Sequence, residues 1–209
     1  MNVPNIISSQ SEIQTRLNAF GLTKSELQQI AIKAITAKNG ATTDHPPHAG
    51  GYFAYAEGTR ALRETTLCKP GWEKDNTEGI ASVINKELNI KIIYQNVDLS
   101  CSAIPPKAIS GKGNASKRIV DNGTMDCWED LKNQFLVKEQ YEVWYLCVSS
   151  NEDEIRCELS RPFSIEQKQF EGFIERVYIF TEDDFELITD EFDFDDNEND
   201  FNISITKKI

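Results

Sequence analysis

Arg60 and Arg63 stand three residues apart in a stretch with helical spacing, so they share one face, with Tyr52 and Tyr55 beside them. Arginine forks bind phosphate bidentately, and aromatic faces stack on bases or on arginine itself. The competing reading is an arginine pair bridging to acids of the same chain. A second basic cluster follows in Ser110-Gly111-Lys112-Gly113-Asn114-Ala115-Ser116-Lys117-Arg118. Its glycines let backbone N–H groups approach an anion, and Lys112, Lys117 and Arg118 would neutralise it. The order is neither a Walker loop nor a dinucleotide fingerprint, which leaves a generic phosphate-friendly loop or a solvated one. Asp44-His45-Pro46-Pro47-His48 holds both histidines of the chain. Asp44, His45 and His48 could offer ligands to a transition metal, but the two prolines stiffen the segment and no fourth ligand stands near.

The opposite charge collects at the other end. From residue 182 to 200 there are 11 acids in 19 residues and no base. Asp183, Asp184, Asp190, Glu191, Asp193, Asp195 and Asp196 are the candidate surface for a basic protein partner. An EF-hand does not fit, because Glu198 and Ser204 stand where that loop needs glycine and glutamate. Nor is there a nucleophile elbow, an H-E-x-x-H helix or a carboxylate-x-lysine doublet on a predicted strand.

The net charge of −12 over 209 residues divides unevenly. Residues 1–120 carry 14 Lys+Arg against 10 Asp+Glu, a balance of +4, whereas residues 121–209 stand at −16. A merely soluble acidic protein would not divide this way. The five cysteines are scattered without a C-x-x-C pair, which suits a reducing compartment better than a disulfide scaffold. No apolar run has the length of a membrane helix, and residues 1–11 do not read as a secretion signal. A cytoplasmic protein away from the membrane is expected, with no cofactor; a divalent metal is the alternative.

Thr23-Lys24-Ser25-Glu26 is a capping box. Leu22 and Leu27 occupy the staple positions around it, and Asn39-Gly40 closes the helix. With the preceding amphipathic turn at 11–20, this predicts a helix pair over 9–40. A third helix is predicted over 52–67 despite Gly58, with Tyr55, Thr59 and Leu62 inward. Residues 80–99 fit a helix in part, but their β-branched density favours two strands with a hairpin loop at 85–89. Residues 100–122 read as a long basic loop, expected to be mobile and to order on a polyanion. A helix is predicted to start at Thr124, with Trp128, Leu131 and Phe135 inward. Residues 141–148, 155–159 and 173–180 then form an antiparallel meander. In 181–209 the Phe-Asp and Phe-Ile alternation is strand patterning, unusual for a polar tail.

Helices first and a strand meander later predict an α+β domain over 1–180, a helix pair packed on a mostly antiparallel sheet, with an acidic C-terminal extension. Within it, 52–99 holds a helix and strands, and 124–180 a helix and the three-stranded meander. The expected function is that of an intracellular interaction protein. Its basic N-terminal face would meet nucleic acid or a nucleotide, and its acidic surface a basic protein. A metal-dependent hydrolase or nuclease is the first alternative, and a structural subunit of a larger assembly the second.

Overall fold

The computed structural model describes residues 3–124, 141–151, 154–180 and 184. The chain runs β1 (Asn5–Ile7), α1 (Gln10–Asn18), α2 (Lys24–Asn39), α3 (Ala49–Leu67), β2 (Trp72–Asp75), β3 (Ser82–Asn85), β4 (Ile90–Asn96) and α4 (Asn114–Thr124). It continues as β5 (Glu142–Ser150), β6 (Ile155–Pro162), a short ribbon of β7 (Ile165–Glu166) and β8 (Gln169–Phe170), and β9 (Phe173–Phe180). Seven strands form one sheet in the order β1-β9-β6-β5-β4-β3-β2. Two neighbouring pairs are parallel, β1 with β9 and β4 with β5; the rest are antiparallel. The fold is α+β, as the element pattern predicts. Among the described residues no helix is long and apolar enough to cross a membrane.

The start of α2 follows from its sequence. Thr23 Oγ1 accepts from the Glu26 N–H, and the Glu26 carboxylate accepts from the Thr23 N–H at 2.9 Å. Helices α1 to α3 cover one face of the sheet. Ile13, Leu17, Leu27, Ile30, Ala34 and Leu62 bury against Trp144, Leu146, Val148 and Leu159. On the opposite face Ile93, Val143, Tyr145 and Cys147 meet Val120 of α4 and Ile165 of β7. With both faces covered, β4 and β5 are buried almost throughout, and β5 is a near-continuous apolar run rather than an alternating one.

The hairpin favoured over 80–99 forms, with β3 antiparallel to β4. Three expectations change. The loop assigned to 100–122 ends at Gly113, because residues 114–124 form α4; a parallel β4–β5 pair needs a long crossover, and α4 lies on it. Tyr55 does not point inward but is 38% exposed, whereas Ala54, Gly58, Ala61 and Leu62 face the sheet. That choice follows from the partner beneath: the Tyr94 ring lies directly under Gly58, where a small residue lets helix and strand approach closely. Finally, a β1 strand forms in a segment with no strand assigned. Trp128, Leu131 and Phe135 lie outside the described residues, as does the patterned stretch after Asp184.

The segment before α4 is tied to the sheet by a polar core. The Glu158 and Arg176 side chains are 0% exposed and form a two-pronged ion pair at 2.7 and 2.9 Å. Cys101 N–H donates to the same carboxylate at 2.6 Å, while Arg176 Nη1 and the Tyr178 hydroxyl both donate to Ser102 O at 2.8 Å. Ser100 Oγ donates to Cys147 O. A buried charge pair is retained at low cost only when its remaining hydrogen bonds are satisfied, and here they are.

Candidate functional site

Helix α3 carries the first candidate. Its inward stripe leaves Tyr52, Tyr55, Thr59 and Arg63 along one side, at spacings of three and four residues. Tyr52 is 67% exposed, and Tyr55 about half that. Toward the helix C-terminus a groove of about 320 Å³ opens between α3 and the edge strand β2, lined by Ala56, Thr59, Arg60, Arg63, Leu67 and Lys74, with Glu64 at its rim. Arg63 is anchored by Nη2, which donates to Asn76 Oδ1 at 2.7 Å and to Asp75 O at 3.0 Å. Its Nε–H is buried with no partner. Thr59 is only 8% exposed, and its hydroxyl is likewise unpartnered. Among the described residues Lys74 makes no side-chain ion pair or hydrogen bond. Three donor residues therefore line one groove, two of them with a buried, unsatisfied donor atom. A buried unsatisfied donor costs about 1–3 kcal/mol, which a ligand acceptor would recover.

Arg60 is held differently. Its guanidinium binds the Glu57 and Glu64 carboxylates one turn to either side. The hydrogen bond from Arg60 keeps the Glu57 carboxyl below its ordinary pKa. At the exposed rim this pairing is worth little and exchanges readily for another anion.

The second basic cluster lies across the sheet. Lys112 is 8% exposed, its amine against Gln95 Oε1 and 4.4 Å from the Tyr145 ring centroid, with Phe170 at 5.3 Å. Burial lowers its pKa to about 8. The Tyr145 hydroxyl beside it is also buried, close to Ser116 but outside hydrogen-bonding geometry. Lys117 pairs with Glu166, and Arg118 with Glu78 at 2.8 Å. Lys112, Lys117 and Arg118 therefore do not line the groove that Arg60 and Arg63 line. The basic loop is a buried anchor followed by a paired helix face. Nothing in the local sequence signals this, because Glu78 and Glu166 reach α4 only through the tertiary fold.

The proposed metal loop is a structured turn. His45 Nδ1 accepts from the Thr42 N–H at 3.0 Å, its ring packs edge-on to Phe53, and His48 directly precedes α3. Among the described residues no three His, Cys, Asp or Glu side chains, Asp44 included, converge as a metal cluster. Of the acidic candidates Asp184 alone is described. Its carboxylate binds Lys24 Nζ at 2.5 Å, and Lys24 also donates to Gln10 Oε1. Asp183, Asp190, Glu191, Asp193, Asp195 and Asp196 lie outside the described residues.

A second cleft, about 220 Å³, holds Asp75, Glu78, Lys91, Asn122 and Tyr141. Asp75 Oδ1 accepts from the Thr77 hydroxyl at 2.6 Å, and Oδ2 accepts from the Ser82 hydroxyl and Lys91 Nζ at 2.8 and 3.0 Å. Burial alone would raise this carboxyl, but the hydrogen bonds from Thr77, Lys91 and Ser82 outweigh it and hold it at about 2. With both carboxylate oxygens occupied, this is a structural ion pair. Sequence reading passed over it, and equally Thr59 and Lys74. Thr59 could have been found from its place four residues before Arg63; Lys74 could not, since only the sheet sets β2 beside α3.

No family model, curated protein or solved structure matches the chain.

Proposed function

We propose that the protein is an interaction protein whose α3–β2 groove binds single-stranded nucleic acid or a nucleotide. The reading rests on one observation: the unpartnered Thr59 hydroxyl and Arg63 Nε–H lie buried in the same groove as the free Lys74 amine. Such a set offers donors and positive charge and asks for an anion with several acceptor oxygens, which is what a phosphate is. Tyr52 and Tyr55 continue the stripe for bases to stack on, and unpaired bases are what a single strand offers. Glu64 at the groove rim is engaged by Arg60, as is Glu57 on the same helix, so the arrangement supports binding rather than acid–base chemistry. A cytoplasmic setting belongs to this reading, supported by the four described cysteines being free thiols.

The test is fluorescence anisotropy with a labelled single strand of about 12 nucleotides, within the site sizes such surfaces cover. Three phosphate contacts, from Arg60, Arg63 and Lys74, give a log K against log salt slope of about −2, so binding weakens roughly twentyfold between 50 and 200 mM salt. Lys74→Glu should flatten that slope by about 0.7 and weaken binding at least as much as losing one contact. Tyr52→Ala should weaken binding by about 1–3 kcal/mol without changing the slope. Saturable binding that Lys74→Glu leaves unchanged would remove the groove from consideration.

A further inference from the structure

We infer that the acidic segment 182–200 is an intramolecular competitor for the α3–β2 groove, a stand-in for the nucleic acid; this rests on the groove being a nucleic-acid site. The first support is where the segment leaves the fold. Asp184 is fixed on Lys24 at the start of α2, both side chains mostly buried. Glu26, two residues further on, pairs with Lys69, which also donates to Gly21 O at 2.7 Å. Lys69 lies two residues beyond the end of α3. Asp184 therefore sits at the end of the helical layer where α3 closes, and the groove lies beyond α2 and α3, along the β2 edge of the sheet. Packed helices are about 8–10 Å apart. Asp190 to Asp196 follow Asp184 by 6 to 12 residues, a reach of roughly 20–40 Å in an extended chain.

The second support is chemical match. The segment has 11 acids and no base, so it cannot neutralise itself, and its charges repel until a cation accepts them. The groove offers Lys74, Arg63 Nε and the Thr59 hydroxyl, none with a partner there. Phe192-Asp193-Phe194-Asp195 alternates ring and carboxylate. In an extended chain, residues two apart point to the same side, roughly 6.6 Å from each other. One edge then bears carboxylates in the role of phosphates, and the other bears rings that can meet Tyr52 and Tyr55 in the role of bases. A disordered solubilising tail would have no use for those phenylalanines.

The experiment compares the full chain with a full-length variant carrying Asp190→Asn, Glu191→Gln, Asp193→Asn, Asp195→Asn and Asp196→Asn, which keeps length and aromatic residues. Both are titrated with the same labelled single strand at 50 mM salt, and a synthetic peptide of residues 185–200 is then added to the variant complex. The inference expects the variant to bind at least tenfold tighter and the peptide to displace the oligonucleotide. Equal affinities, or a peptide that displaces nothing, would overturn the competition and leave the groove reading standing. If neither chain binds the oligonucleotide, the groove reading itself falls, and this one with it.

Discussion

Replacing Gly58 with alanine opposes two effects of known sign. Gly58 sits in the interior of α3, where glycine costs about 0.5–1 kcal/mol relative to alanine, so helix propensity alone predicts a stabilised protein. A Cβ at this position would lie 2.6 Å from Tyr94 Cδ2 and closer still to Cε2 and Cζ. No real contact is that short, so the ring or the helix must move. The ring has little room: Tyr94 is fully buried, its hydroxyl donates to Asn96 Oδ1 at 2.9 Å, and Asn96 Nδ2 donates to Gly51 O at 2.8 Å. Shifting it would break a chain of bonds that returns to the start of α3. Overpacking of this kind costs about 1–3 kcal/mol, which exceeds the propensity gain. The expected net loss is about 1–2 kcal/mol, a fall of about 0.5–1 M in the urea midpoint for a slope near 2 kcal/mol per M. Tyr94→Leu supplies the control, because in that background the clash is gone and Gly58→Ala should become neutral or stabilising. A raised midpoint for Gly58→Ala in the otherwise unchanged chain would refute the close-approach argument.

Two further outcomes follow from the buried charges. Glu158→Gln strands the Arg176 guanidinium without its counter-ion and should cost about 3–5 kcal/mol in a denaturation curve, with Glu158→Leu/Arg176→Met together costing less than Glu158→Gln alone; equal losses would place the stability elsewhere. Lys112 has a folded pKa of about 8, below its ordinary 10.5, so between those values the unfolded chain holds more protons and stability rises with pH. The wild type should therefore gain on Lys112→Met by on the order of 3 kcal/mol from pH 8 to 10.5; a difference independent of pH would show that the amine is not buried as a charge.

Local signals in the chain were enough for the elements whose chemistry is local. The Thr23–Glu26 capping box, the 82–96 hairpin and the 141–180 meander all rest on contacts between near neighbours in sequence. So does the Tyr52 to Arg63 stripe, once its residues are put on a helix. What needed the tertiary structure was anything depending on which side of the sheet a residue falls. Period-two alternation shows that Val143, Tyr145 and Cys147 share a face, and that Ile155, Cys157 and Leu159 share one. It does not show that these faces are opposite, which the register of Leu146 with Leu159 decides. The same holds for charge. Arg60 and Lys112 look alike as exposed cations in a sequence, yet one lines an open groove and the other is buried against Gln95, Tyr145 and Phe170. Lys74 joins Arg63 only because β2 is the outer strand beside α3. Helix caps and turns are decided within a few residues, whereas burial and charge pairing are decided by residues far apart in the chain, and only the packed fold brings those together.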